Sequence, residues 1–288
     1  SLQFDLWGSL CEALHDRGIA LTAYMNIGLS HEEPLRHRDW CVLNQEGRTY
    51  GEDRLNSFFR QMCYNTPYAD QQEAMVREVA ANYPSAGFFF DCIYTQPCVG
   101  IECLEDMRER GVDWTDEQQL HDYNIQKHVR MIRRLADAAR EINPELLIYC
   151  NGLGYEAQEE IGNYLEFECL PTGGWGYESL PMGARHLRTL GKPVLNMTGR
   201  FHKSWGDFGG IRTEPSLEYD CLYGMANAMR TTIGDHFHPR GDINQPVFDL
   251  YRRIYSRLQR YEPWLDGAKA VTEAAVVWPA AYPGYEWR

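Results

Sequence analysis

The chain has 288 residues, of which 44% are hydrophobic, 24% charged and 13% aromatic. That composition can fill a sizeable core and excludes a disordered, collagen-like or disulfide-stapled mini-protein. Its length suits one large α/β barrel of about 250 residues or two domains of roughly 100–200 each. With 28 Lys and Arg against 41 Asp and Glu, the formal charge of −13 argues against a nucleic-acid partner and favours a neutral or cationic small ligand.

No apolar run approaches the roughly 20 residues of a membrane helix, and the opening SLQFDLWGSLCEAL lacks the basic and apolar regions of a secretory leader. A soluble, cytoplasmic protein without membrane contact is expected. The nine cysteines are scattered and odd in number, which suits buried free thiols in a reducing compartment. Cys98 and Cys103 form the one close pair. They lack a second pair or nearby histidines, so packing is expected there and no metal.

In chain order, short apolar runs alternate with longer amphipathic ones, the pattern of β/α units around a parallel sheet. Strands are predicted at 19–26 (IALTAYMN), 87–92 (GFFFDC), 146–151 (LLIYCN), 164–170 (YLEFECL), 193–198 (PVLNMT) and 231–235 (TTIGD). Each is nearly continuous in apolar residues, as expected where helices cover both faces. Helices are predicted at 6–16, at 70–83 with Met75, Val79 and Tyr83 as a stripe, and at 116–142 with Leu120, Ile125, Val129, Ile132 and Leu135. Three more follow at 181–190, 217–229 and 247–261, and Gly18 and Gly191 sit where a helix should stop. The domain reading is a (β/α) barrel over 1–267, then a segment over 268–288 that extends this domain or opens a following one, with a strand-like run at 274–278.

In such folds the chemistry gathers at the carboxyl ends of strands. Those ends are polar here: Asn26, then His31, Glu32 and Glu33; Asp91 after three phenylalanines; Asn151; Glu166 and Glu168, then the loop TGGWGY at 172–177; and Asp235-His236-Phe237-His238. Asp91 is the sharpest case, since a charge directly after Phe-Phe-Phe must be paired, hydrogen-bonded or working. Glu166 and Glu168 share one face because strand side chains alternate, and Glu168 lies nearer the carboxyl end. Carboxylates among Trp and His, without a phosphate-cradling loop or metal cage, point to a carbohydrate ligand and no cofactor. Trp175, Tyr177 and Trp205 could lie against the apolar face of a sugar. Two carboxyl groups suffice to hydrolyse a glycosidic bond.

Four segments, CYNTPY at 63–68, GFFFD at 87–91, NMTGRFHKSWGD at 196–207 and IGDHFHP at 233–239, resemble the glycosyl hydrolase domain of the family 151 α-L-fucosidases. The resemblance runs through essentially the whole chain and implies a (β/α)8 TIM barrel, distantly similar to family 29 fucosidases, whose first two strands are absent from this chain. It implies a retaining, exo-acting α-L-fucosidase with Asp91 as nucleophile. The acid/base residue is not fixed by a shared motif; Glu168 is chosen on geometry, with Asp235, Asp207 and Glu32 in reserve. Asn26, Glu32, Asn151, Trp175, Arg200, His202, Trp205, Asp207, Asp235, His236 and His238 are expected to bind substrate. Family analogy also suggests a homo-oligomer.

Two rival readings stand beside it. A β-galactosidase of the family 42 type would need glutamates where this chain has Phe-Asp-Cys and Asn-Met-Thr. A non-catalytic carbohydrate-binding or scaffold barrel would keep the polar rim without turnover.

Overall fold

A computed structural model of the protein describes residues 3–50, 59–238 and 240–276. The chain divides into two units, Ser1–Tyr164 and Leu165–Arg288, and all six predicted strands form within a few residues of their expected limits.

In the first unit, β1 (Thr22–Asn26), β4 (Gly87–Asp91) and β5 (Leu147–Cys150) form a parallel sheet in the order β1-β4-β5. A short antiparallel pair, β2 (Leu29–Ser30) with β3 (Arg60–Gln61), lies between β1 and β4 in the chain and was not foreseen. The helices are α1 (Leu6–His15), α2 (Glu33–Arg36), α3 (Tyr68–Asn82), α4 (Ile101–Arg110), α5 (Glu117–Ile142) and α6 (Tyr155–Ile161). Asp116 starts α5 by accepting hydrogen bonds from the Gln118 and Gln119 amides at 3.0 and 3.1 Å. Gly18, at φ 68°, turns the chain after α1.

Strand alternation builds this core. Ala23 and Met25 of β1, Phe88 and Phe90 of β4, and Ile148 and Cys150 of β5 are buried together with Val76 of α3 and Ile132 and Leu135 of α5. The expected stripes shift in detail. Met75 and Ile125 are exposed, because Tyr68, Ala69, Gln72 and Val76 form the inward face of α3, while Tyr123, Asn124, Lys127, His128 and Met131 share the inward face of α5. Four of these are polar, so a search for apolar periodicity steps over them.

In the second unit, β6 (Leu165–Cys169), β7 (Val194–Gly199) and β8 (Met229–Gly234) form a parallel sheet in the order β6-β7-β8. Its helices are α7 (Ser179–Leu187), α8 (Glu214–Ala226), α9 (Gln245–Leu258) and α10 (Glu262–Leu265). Leu217 and Cys221 of α8 pack with Leu250, Ile254 and Leu258 of α9. Phe167 of β6 lies against α7, where a Cβ on Gly183 would come within 2.2 Å of its ring. Residues 274–276 of the strand-like run at 274–278 are not in a strand, and 277–278 lie outside the described residues. The six parallel strands therefore fall into two three-stranded ladders.

Polar bonds tie β6, β7 and α8 together. Arg212 and Asp220 form an ion pair at 2.7 Å with side chains 0% and 1% exposed. Thr198 Oγ1 donates to Asp220 at 2.8 Å, Arg212 Nη2 donates to the Ser216 carbonyl at 2.7 Å, and Asn196 donates to the Asp220 carbonyl at 2.7 Å while accepting from the Cys169 thiol. Removing one partner of a buried pair strands the other charge. Arg212→Ala is expected to lower stability by about 3–5 kcal/mol, read from urea denaturation midpoints against wild type.

His128 gives the first unit a pH dependence. Burial, then the charge of Lys127, holds its imidazole down at about 3, and its Nε2 accepts from the Thr95 amide at 3.3 Å. The unfolded chain protonates this side chain below about pH 6.5 whereas the folded chain does not, so stability is full above that pH and falls as the pH drops toward 3. Urea midpoints at pH 7.5 and 5 should differ less in His128→Gln than in wild type.

Candidate functional site

Asp91 ends β4 beside Asn26 of β1, its partner in register. Phe88 and Phe90 enter the core, so Phe89 and Asp91 occupy the opposite face, with Tyr24 and Asn26 of β1 on that same side. The Tyr24 hydroxyl donates to Asp91 Oδ2, and the Cys92 amide donates to Oδ1 at 2.8 Å. Both oxygens are thus held by neutral donors. Among the described residues no Lys, Arg or His forms an ion pair with Asp91.

The turn after β4 is tightly built. Cys92 takes φ 57°, rare for a residue with a side chain. A Cβ on Gly28 would fall 1.7 Å from the Cys92 carbonyl oxygen, so only glycine lets the loop after β1 pass there. Asn26 donates to Cys92 Sγ at 3.5 Å and accepts from the Leu29 amide at 3.0 Å. The Asn151 amide donates to the Phe90 carbonyl at 2.7 Å, which brings the end of β5 alongside. Burial and then the charge of Asp91 push the Cys92 thiol up to about 12, so it stays protonated. Glu32 stands apart, exposed before the short α2.

Tyr24 escaped the sequence reading, although it lies two residues before Asn26 and period-two alternation puts both on one face. Its ring stacks on Phe89 at 5.7 Å, and Phe89 meets Tyr149 at 4.7 Å. Together they make an aromatic floor beside the carboxylate.

The second unit gathers a separate set. Glu168 accepts from Trp205 Nε1 at 2.5 Å, and Glu166 is buried. Gly234 admits the indole, since a Cβ there would lie 2.2 Å from Trp205. His236 sits among Phe201, Phe208 and Trp205, with ring centroids at 5.1, 5.6 and 6.3 Å. Arg200 and Asp235 are spent on each other: Arg200 Nε donates to Asp235 at 2.7 Å and Nη1 to the Phe208 and Gly210 carbonyls, while the Tyr251 hydroxyl donates to the second Asp235 oxygen at 2.9 Å. Asp207 accepts from the Lys203 amide at 3.1 Å.

Other expected residues spread along the loops. His202 is exposed, and His238 turns to Asp242 at 3.5 Å. Trp175 is exposed in its loop, whereas Tyr177 packs on α8 through Tyr219 and bonds to Ser216 Oγ at 2.6 Å.

No protein-family model matches the chain, and no curated protein matches it. Solved structures do. α-L-Fucosidase isoenzyme 2 from Paenibacillus thiaminolyticus is similar at 30% identity and a TM-score of 0.86, over 92% of this chain and 41% of that one. The β-galactosidase from Bacillus circulans sp. alkalophilus matches at 13% identity and a TM-score of 0.69, over 88% of this chain and 48% of that one. The PgaB (BpsB) glycoside hydrolase domain from Bordetella bronchiseptica matches at 12% and 0.63, over 81% and 76%. The last two bear on the fold alone. The chain thus has the α/β fold of solved glycoside hydrolases and spans less than half the length of the fucosidase.

Partial loss of hydration, then the hydrogen bond to Asp91 and its charge, raises the Tyr24 phenol well above its ordinary range. Asp91→Asn removes the charge and the carboxylate acceptor and should lower that phenol, while burial still holds it above its ordinary range. The change is expected as a shift of one tyrosinate to lower pH in an ultraviolet titration, absent when Tyr24→Phe is added.

Proposed function

We propose that the protein is a retaining glycoside hydrolase, an exo-acting α-L-fucosidase that releases terminal fucose. The observation that carries this reading is the 30% identity to the Paenibacillus fucosidase over 92% of this chain. The hydrogen bonding of Asp91 supports it: two neutral donors orient the carboxylate without the guanidinium that engages Asp235 and Asp220. In this reading Asp91 attacks the anomeric carbon, and the bond to the leaving oxygen breaks as that oxygen takes a proton from the acid/base residue. Water, deprotonated by the same residue, then attacks the glycosyl-enzyme and frees Asp91.

Glu168 is proposed as the acid/base residue, on its place near the end of β6 and its indole partner. Asp235 suits that task less, because both of its oxygens are already engaged, one by Arg200 and the other by the Tyr251 hydroxyl. Arg200 and Asp235 are assigned to positioning. His202, Trp205 and His236 are proposed to meet the sugar, with Trp205 against its apolar face.

The test is turnover of an aryl α-L-fucoside beside an aryl β-galactoside, measured on the protein at its full natural length. Release from the fucoside is expected, together with a loss of several orders of magnitude in Asp91→Gly. Azide should restore aglycone release in that variant and yield β-L-fucosyl azide, the product of direct attack without a covalent enzyme intermediate. Unaltered turnover in Asp91→Gly rejects the nucleophile, preference for the galactoside rejects the sugar, and fucose binding without turnover of any glycoside favours a binding module.

A further inference from the structure

The first unit brings together three thiols that are far apart in the chain. Cys63 follows β3, Cys98 lies in the loop after β4, and Cys103 is in the first turn of α4. Their sulfur atoms all lie within 4.8 Å of one another, with Cys63 and Cys103 at 3.3 Å. The residues are 1%, 1% and 0% exposed. Four zinc–sulfur bonds of about 2.3 Å in a tetrahedron place sulfurs about 3.8 Å apart, inside the spread seen here.

The surroundings suit thiolates. Cys98 Sγ accepts from the Leu43 and Gly100 amides at 3.4 and 3.3 Å, and Asn65 Nδ2 donates to Cys103 Sγ at 3.5 Å. Such hydrogen bonds to sulfur are the outer-shell support that metal-bound ligands use. The Lys127 ammonium, 1% exposed, reaches Cys103 Sγ at 4.0 Å. Among the described residues no carboxylate pairs with it, and a buried ammonium requires a counter-charge.

We propose that Cys63, Cys98 and Cys103 form a structural zinc site. A zinc ion with three thiolates carries a net charge of −1, which the Lys127 ammonium neutralises. The fourth position falls to water, which is neutral and leaves the balance unchanged. The site ties β3, the loop after β4 and α4 together in a segment otherwise short of regular strand. It is independent of the glycosidase reading, since it touches neither Asp91 nor Glu168.

The test is metal content of the wild-type protein, purified in reductant without chelator, exposed to zinc and freed of excess. About one zinc per chain is expected. It should be lost in Cys103→Ser and kept in Cys221→Ser, whose thiol lies in the second unit. Replacing zinc with cobalt in the wild type should give thiolate-to-cobalt charge-transfer bands, a readout that needs no variant to fold. Stripping the metal should lower Tm. A folded wild type that retains no zinc and shows no cobalt–thiolate bands overturns the proposal, as does undiminished zinc in Cys103→Ser.

Discussion

A carboxylate that closes an apolar parallel strand has left water on one side and must be satisfied on the other, and the partner that satisfies it decides what it can do. The chain answers this in two ways. Asp220, on α8 beneath β7, and Asp235, just after β8, each meet a guanidinium and a hydroxyl. Both are engaged in ion pairs, and removing one partner of the buried Arg212–Asp220 pair would strand the other charge. Asp91 meets a phenol and a backbone amide. Neutral donors fix the direction of its oxygens without a cation to compete for its charge, the arrangement that the proposed nucleophile requires.

Geometry supplies those donors at little cost. Strand alternation that sends Phe88 and Phe90 inward also puts Phe89 and Asp91 on the other face, and the parallel register sets Tyr24 of β1 opposite Phe89. The tyrosine reaches two residues along to the carboxylate. The amide of Cys92 comes from the same turn that forces φ 57° there, so the strained backbone and the oriented oxygen are one feature. Backbone strain of this kind persists only where its surroundings over-determine it, and the approach of Gly28 to the Cys92 carbonyl does so here.

The sheet elements were legible because buried parallel strands are short continuous apolar runs bounded by turn residues, and GFFFD or LLIYC leaves little other choice. The polar rim was legible for the same reason, most runs ending in or near Asn, Asp or Glu. What the sequence hid depends on pairing. Tyr24 sits inside an apolar strand and gains a role only once β1 is set beside β4. Cys63 lies 40 residues from Cys103, outside any spacing that a local motif search would join. The inward face of α5 carries Lys127 and His128, whose burial depends on thiols and a threonine contributed from elsewhere. Arg200 and Asp235 stand out in separate motifs, and the chain distance between them conceals that they pair with each other.

The segment from Arg200 to Arg212 shows how a long rim loop can stay ordered. Its first residue is a buried arginine held by Asp235 and by the Phe208 and Gly210 carbonyls; its last is a buried arginine held by Asp220 and Ser216. The two ends are joined directly by the Arg212 amide and the Arg200 carbonyl at 2.9 Å. Between these anchors Asp207 caps the turn and Trp205 is seated over Gly234, while His202 remains exposed. A loop pinned in this way has its ordering entropy met by folding, so a ligand that contacts Trp205 or His202 does not have to supply it. The buried arginines thus hold the loop's shape, and their loss would first be felt as a loop that no longer keeps it.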